Sequence, residues 1–307
     1  MLMPLAISVL IPIVLCVGIG FVAKRQFGVG NEVWAGIEKL TYYLFAPSLL
    51  ISSLANKSLD QVPWEGMFIT LVSVLLLSAV VLIAIQLSTH RFSGPQFTSV
   101  FQGGVRFNSF VVLALAELLF GADGLGVGAL ASVIVVITVN ILCVTVFSLA
   151  GSQSGGLRKL PKQLLTNPLI IGCVVGLVLN LSGVGLVGPI NDLAFMLGKV
   201  ALPMALLCVG AALQVTSARG NQLMIILTSA MQFLFKPLLG YLLARYLGVE
   251  GISLVIVVIC LASPTAPSAY VLARQLGGDA QAMAAVITVQ TVLAFVTLPV
   301  TLALLGV

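Results

Sequence analysis

Charge-free stretches fill most of the chain, and short clusters of Gly, Pro and charged residues interrupt them at intervals. The runs bounded in this way predict ten helices, at 4–22, 36–55, 66–88, 95–120, 124–149, 164–181, 191–213, 222–246, 252–275 and 280–305. Most come close to the ~20 residues with which an α-helix crosses a ~30 Å hydrocarbon core. They are too long and too uniformly apolar for the alternation of a membrane β-barrel. The fold class expected is therefore an all-α polytopic membrane protein.

Composition agrees with the pattern. Of 307 residues, 60% are hydrophobic and 7% charged, against roughly 25% charged in soluble domains. The net charge of +5 reports topology and not nucleic acid, because the Lys and Arg lie scattered in short loops without interleaved aromatics. Loops after the first, third, fifth, seventh and ninth spans hold Lys24, Arg25, Arg91, Arg158, Lys159, Lys162, Arg219 and Arg274. The other loops hold only Lys57 and Arg245. Cytoplasmic loops carry the basic excess, so both termini are expected outside an inner-type cell membrane, with the polar linker 151–163 in the cytoplasm. Lys24 and Arg25 follow the first run, the reverse of a secretory signal's charge order, which makes that run a retained span. Cys16, Cys143, Cys173, Cys208 and Cys260 lie in apolar runs without CxxC spacing, so no disulfide, metal or cofactor is expected.

The linker divides the chain into residues 1–150 and 164–307. Pro12 and Pro168, Gly20 and Gly176, Pro47 and Pro203, Gly121 and Gly277, and Asp123 and Asp279 are each 156 residues apart. PIVLCVGIG resembles PLIIGCVVG, and ITVN ending at Asn140 resembles ITVQ ending at Gln290 after a small gap. A constant offset across such landmarks points to duplication. Five spans are an odd number, so the second half enters the membrane from the opposite side, as a 5+5 inverted repeat.

Inverted-repeat transporters bind substrate near the midplane, where discontinuous helices expose backbone groups. The ninth span contains SPTAPSAY, in which Pro264 and Pro267 each remove an N–H and clash with the preceding turn. The position 156 residues before Pro264 is Asn108, within GGVRFNSF of the fourth span. Asn108, Ser109, Ser263 and Thr265, with Pro264, Pro267 and Tyr270 in the same stretches, are the substrate-binding candidates. Hydroxyls and an amide beside the positive ends of two half-helices suit a carboxylate. An ordinary kinked helix also needs polar neighbours for its freed carbonyls, and that alternative stays open.

Arg106, Glu117, Lys199 and Lys236 lie inside predicted spans, where a charge costs at least ~2.5 kcal/mol at a helix centre. Lys236 either attracts an anion or sits at the negative ends of half-helices. Arg106 either collects anions in a vestibule or faces headgroups, and Glu117 is either a proton carrier or an interfacial residue. Lys199 is expected to snorkel toward Asp192. Asn140, Gln290 and Thr291 either coordinate substrate or a cation, or bond between helices. Tyr42 and Tyr43 either frame an aromatic ligand or mark an interface belt. His90, the only histidine, lies in a loop beside Arg91, and neither HExxH nor a Walker motif occurs. An enzyme and an ATP-driven pump are therefore not expected, and an anion channel or membrane receptor is the alternative class.

The stretches GGVRFNSFVVLALAELLFG, NPLIIGCVVGLVLN and SPTAPSAYVLARQLGGDAQAMAAVITVQ resemble the auxin efflux carrier family, and the resemblance covers essentially the whole chain. Its bacterial branch includes permeases for malonate and other small acids. The resemblance implies a secondary carrier of ten helices, of the kind found in plant auxin exporters and bile-acid transporters. In that fold spans 1, 2, 6 and 7 form a scaffold and homodimer interface, and spans 3–5 and 8–10 form an elevator-like transport domain. Broken helices 4 and 9 cross within it. The family's crossover asparagine maps onto Asn108. Phe107 stands where plant members have proline, which implies a softer break, and Thr265 is smaller than the plant residue. The resemblance thus implies a small carboxylate such as malonate or malate, with auxin or another aromatic carboxylate as the alternative.

Overall fold

The computed structural model describes residues 2–57, 62–150, 156–214 and 221–307, and within them every regular element is helical. In chain order these are α1 (Leu2–Arg25), α2 (Asn31–Leu40), α3 (Ala46–Ala55), α4 (Trp64–Thr89), α5 (Gly94–Val105), α6 (Ser109–Ala150) and α7 (Gly156–Leu165). They continue as α8 (Pro168–Leu181), α9 (Gly188–Ala212), α10 (Gln222–Ala230), α11 (Lys236–Tyr246), α12 (Gly251–Ala262), α13 (Ser268–Leu276) and α14 (Ala280–Leu305). Among the described residues five helical runs are long and apolar enough to cross a membrane: Trp64–Thr89, Gly94–Ala150, Gly188–Ala212, Gln222–Tyr246 and Ala280–Leu305. Large apolar side chains such as Leu15, Leu76 and Val296 point outward, as a surface bathed in lipid requires.

Single π-turns, Thr41–Phe45 and Met231–Phe235, join α2 to α3 and α10 to α11. Each is followed by one residue and then a proline, Ala46-Pro47 and Lys236-Pro237. A proline ring clashes with the carbonyl four residues back and offers it no N–H. Widening that turn moves the carbonyl off the ring and keeps the helix continuous. The second and eighth predicted runs therefore pass their prolines without breaking.

Two other runs do break. Arg106, Phe107 and Asn108 separate α5 from α6, and residues 263–267 separate α12 from α13. Gly103 and Gly104 remain helical, so the first break falls just after them. It forms without a proline because the Asn108 Oδ1 accepts from the N–H groups of Phe110 (3.1 Å) and Val111 (3.4 Å), which starts α6 as an N-cap. The turn expected at 121–123 is a kink inside α6, where Gly121 adopts φ 60°. Gly277, 156 residues on, closes α13 with φ 75°, and both are left-handed values that glycine tolerates. The linker 151–163 departs from its expected loop, since α7 makes its second part helical with Arg158 and Lys162 exposed. Residues 151–155 and Arg219 lie outside the described residues.

Helix α1 packs on α9, and α3 packs on α8 and α9. A Cβ on Gly20 would overlap the Leu207 carbonyl, one on Gly210 the Val17 carbonyl, and one on Gly176 would come within 3.2 Å of the Ile51 Cα. Gly20–Leu207 and Gly176–Ile51 are the same pair displaced by 156 positions. Lipid tails are as apolar as the helices, so close backbone contact, and not exclusion of water, provides the attraction here. Beside this frame, α4, α5, α10 and α14 pack around Leu82, Phe101, Met231 and Val286, which sit next to the two breaks.

Candidate functional site

The two breaks meet and bond to each other. The Asn108 N–H donates to the Ser263 Oγ (3.3 Å), whose own hydroxyl donates to the Asn108 carbonyl (3.1 Å). The Thr265 N–H donates to the Gln290 Oε1 (3.0 Å), while the Thr265 hydroxyl (3.2 Å) and the Gln290 amide (2.9 Å) both donate to the Gly103 carbonyl. The Gln232 amide donates to the Ser263 carbonyl, and the Lys236 ammonium lies 3.5 Å from the Val105 carbonyl. All six of these side chains are at most 1% exposed.

This arrangement follows from what a broken helix leaves behind. Each break frees carbonyls on one piece and N–H groups on the next, and none can go unpartnered in a medium without water. The C-terminal ends of α5 and α12, which carry negative partial charge, receive donors from Lys236, Gln232, Thr265 and Gln290. Asn108 closes the N-terminal end of α6. The N-terminal end of α13 is different. Pro267 precedes it, no side chain caps it, and Ala266 and Ser268 at its start lie in the wall of a cavity.

That cavity measures about 560 Å³. Its wall takes Glu38 and Lys39 from α2, Tyr42 and Tyr43 from the first π-turn, Arg106, Phe107 and Ser109 from the first break, and Asn140 from α6. Gln163, Thr166 and Asn167 complete it between α7 and α8. The Arg106 guanidinium is clamped in this wall: Nη1 donates to the Gln102 Oε1 (3.3 Å) and Nη2 to the Asn140 Oδ1 (3.2 Å). Gln102 donates onward to the Ala269 carbonyl in α13 (3.4 Å). The cation is thus tied to both broken helices. A guanidinium has five N–H donors in a fork that matches a carboxylate, so these two bonds leave donors for a ligand. Tyr42 and Tyr43 form an edge-to-face pair, with ring centroids 5.2 Å apart.

Of the residues expected to bind substrate, Asn108, Ser109, Ser263, Pro264 and Thr265 are brought together at the breaks, but only Ser109 faces the cavity. The polar groups of Ser263 and Thr265, and the Asn108 backbone and Oδ1, are committed to holding the crossover. Asn108 Nδ2 and Gln232 Oε1 are buried without a protein partner among the described residues. Pro267 precedes α13, and Tyr270 sits in its first turn with the Arg274 guanidinium 6.0 Å from the ring. Neither is in the cavity wall. Glu117 is exposed on α6 away from the cavity, and the Lys199 ammonium lies over the Phe195 ring at 4.3 Å. Thr291 returns its hydroxyl to the Ile287 carbonyl (2.7 Å).

Sequence reasoning missed Glu38 and Lys39 of the cavity wall and, at the breaks, Gln102 and Gln232. Each glutamine stands four positions before a basic residue, Arg106 and Lys236, so the pair shares one helix face. A glutamine one turn before an intramembrane cation was the available signal. Among the described residues no cluster of His, Cys, Asp or Glu is placed to hold a metal ion. A family model described as membrane transport protein matches residues 5–302. No curated protein matches the chain.

Proposed function

We propose, because this chain belongs to the auxin efflux carrier family of membrane transport proteins, that it is a secondary carrier moving a small organic anion across a cytoplasmic membrane by alternating access. The observation that carries the reading is a cavity with a clamped guanidinium, Arg106, and in one wall the N-terminus of α13, which has no side-chain cap and turns its first N–H groups, those of Ala269 and Tyr270, to the Ala266 and Pro267 carbonyls. A carboxylate bound there receives forked N–H donors from Arg106 and the positive end of a helix dipole. A malonate- or malate-like dicarboxylate is the first assignment, with Lys39 in the same wall as partner for its second carboxylate. The Tyr42–Tyr43 pair favours a second reading, a carboxylate with an aromatic body that stacks edge to face.

In this reading the Gly121 kink separates two spans and the chain makes ten, in two inverted halves. The matched contacts Gly20–Leu207 and Gly176–Ile51 support the duplication, as do the left-handed glycines Gly121 and Gly277. Helices α1–α3, α8 and α9 form the rigid frame and the surface for a second copy. Helices α4–α6 and α10–α14 carry the crossover past it in an elevator-like motion.

Purified protein in liposomes should take up labelled malonate saturably, and unlabelled malonate inside should accelerate entry. Steady single-channel currents without that acceleration would identify an anion channel instead. Failure to move malonate or an aromatic carboxylate would overturn the substrate class.

A further inference from the structure

We infer that Lys57 and Asp123 form an ionic latch that closes the far end of the carrier, and that the latch must open before the cavity's contents reach that side. The inference rests on the alternating-access reading above. Lys57 donates to the Asp123 Oδ1 at 2.9 Å and to the Ala122 carbonyl at 3.2 Å. Its side chain is 13% exposed, against 77% for Asp123. The buried stem crosses α6 at Gly126, where any Cβ would overlap the Lys57 Cδ.

The backbone bearing Lys57 belongs to the frame. The Asn180 amide of α8 donates to the carbonyls of Leu54 (2.7 Å) and Lys57 (2.5 Å). Asn56 accepts from the Leu186 N–H (2.7 Å) and donates to the Leu186 carbonyl (3.0 Å) in the α8–α9 connection. The ammonium alone leaves this clamp, and it reaches the part that carries the breaks. The other ion pair among the described residues, Arg245–Glu250, spans one local turn. Lys57–Asp123 is therefore, among the described residues, the ion pair that bridges frame and crossover, although Lys199 of α9 also attracts the Glu117 carboxylate of α6 without pairing with it.

Its position is at the end away from the cavity. Lys39 and Ala55 lie 16 residues apart on one helical run, roughly 24 Å at 1.5 Å per residue, Lys57 follows two residues beyond its end, and it is Lys39 that lines the cavity. The latch also has no counterpart in the other half. The residue 156 positions after Lys57 is Leu213, and Asp279, 156 positions after Asp123, instead caps α14 through the Ala282 N–H (2.9 Å). One seam is thus pinned by a charge pair, and the other carries the cavity. A partly exposed pair is worth little enough to break in each cycle.

The test places a thiol in the cavity wall with Ala266→Cys and follows its reaction with a membrane-impermeant reagent added outside intact cells. The same chain without that substitution gives the background from Cys16 and Cys208. Lys57→Gln and Asp123→Asn should each raise the external labelling rate about fivefold, the scale of an exposed pair. The swapped pair Lys57→Asp/Asp123→Lys should return it to the parent rate. Gly126→Ala, which displaces the lysine stem and leaves both charges, should raise it as the single variants do and keeps the test open if one of them misfolds. Equal, non-zero external labelling in every protein would overturn the latch and leave the carrier standing. No external labelling in any protein, with the same thiol labelled in inside-out vesicles, would overturn both.

Discussion

At Gly20 and Gly210 helix meets helix backbone to backbone, and at Gly176 the approach is almost as close, against the Leu54 Cβ and the Ile51 and Leu50 backbone. At the crossover the contact is made by amide and hydroxyl groups that reach across two interrupted helices, Ser263 to Asn108 and Thr265 and Gln290 to Gly103. Both regions hold helices together in a medium that gives no hydrophobic drive between them. The glycine contacts depend on shape, admit one geometry and suit a frame. The crossover contacts depend on polar groups that a helix break sets free. A site built from such groups is tied to the break.

The frame is where a single substitution should cost most. Gly210→Val would push a branched side chain into the Val17 carbonyl, where overpacking of ~1–3 kcal/mol in a yielding core meets backbone that has no rotamer to change. The largest loss of thermal stability should be found here. A melting temperature within about 1 °C of the parent would mean that the frame is not close-packed, since about 1 kcal/mol moves a domain of 150–250 residues by roughly 2–4 °C and a longer chain by somewhat less.

Gln290→Leu comes next. It strands the buried Thr265 N–H and removes one of two donors to Gly103, a cost of about 1–3 kcal/mol for each group left unsatisfied. Stability should fall, by less than for Gly210→Val, and transport should fall with it. Wild-type stability in this variant would show that the crossover does not need its bonds.

Asn108→Ser separates capping from binding. A serine caps α6 as well as asparagine does, so the melting temperature should hold, while loss of the Nδ2 amide, which has no protein partner among the described residues, should raise the KM for malonate. Asn108→Ala should instead cost about 1 kcal/mol of stability through the lost cap. If both variants transport like the parent, Asn108 only holds the crossover.

The smallest effect is expected at Tyr43→Leu. Malonate transport should stay within about twofold, and an aromatic carboxylate should lose about fivefold, the worth of roughly one aromatic contact. Equal losses for both would remove the aromatic reading.

Much of this architecture is legible before any coordinates. Pro264 and Pro267 announce one break, and the 156-residue offset carries that position to Asn108, inside the other break. The all-helical class and the family follow from uniformly apolar runs and from the SPTAPSAY motif of the ninth predicted span. The rest is hidden for physical reasons. In a lipid-facing helix apolar residues occur on every side, so periodicity does not say which face of the fourth span turns inward, and Gln102 goes unnoticed. Nothing in the letters around Pro47 and Pro237 tells a π-turn from a break, because either relieves the same clash. The hydroxyls of Ser263 and Thr265 suit a carboxylate as well as a carbonyl, and only their partners reveal that the crossover uses them. The first half of α7 escapes because GSQSGGLRK reads as a polar loop, and its amphipathic spacing becomes visible only once Gly156 starts a helix.

We propose that the anion is read by Arg106 from the wall of the cavity. The most direct test is equilibrium binding of labelled malonate to detergent-purified protein, parent against Arg106→Gln, with melting temperatures measured in parallel. A charge-assisted contact of about 1.5–3 kcal/mol predicts saturable binding in the parent and an affinity lower by at least about tenfold in the variant, at an unchanged melting temperature. Equal affinity in the two proteins would contradict the account.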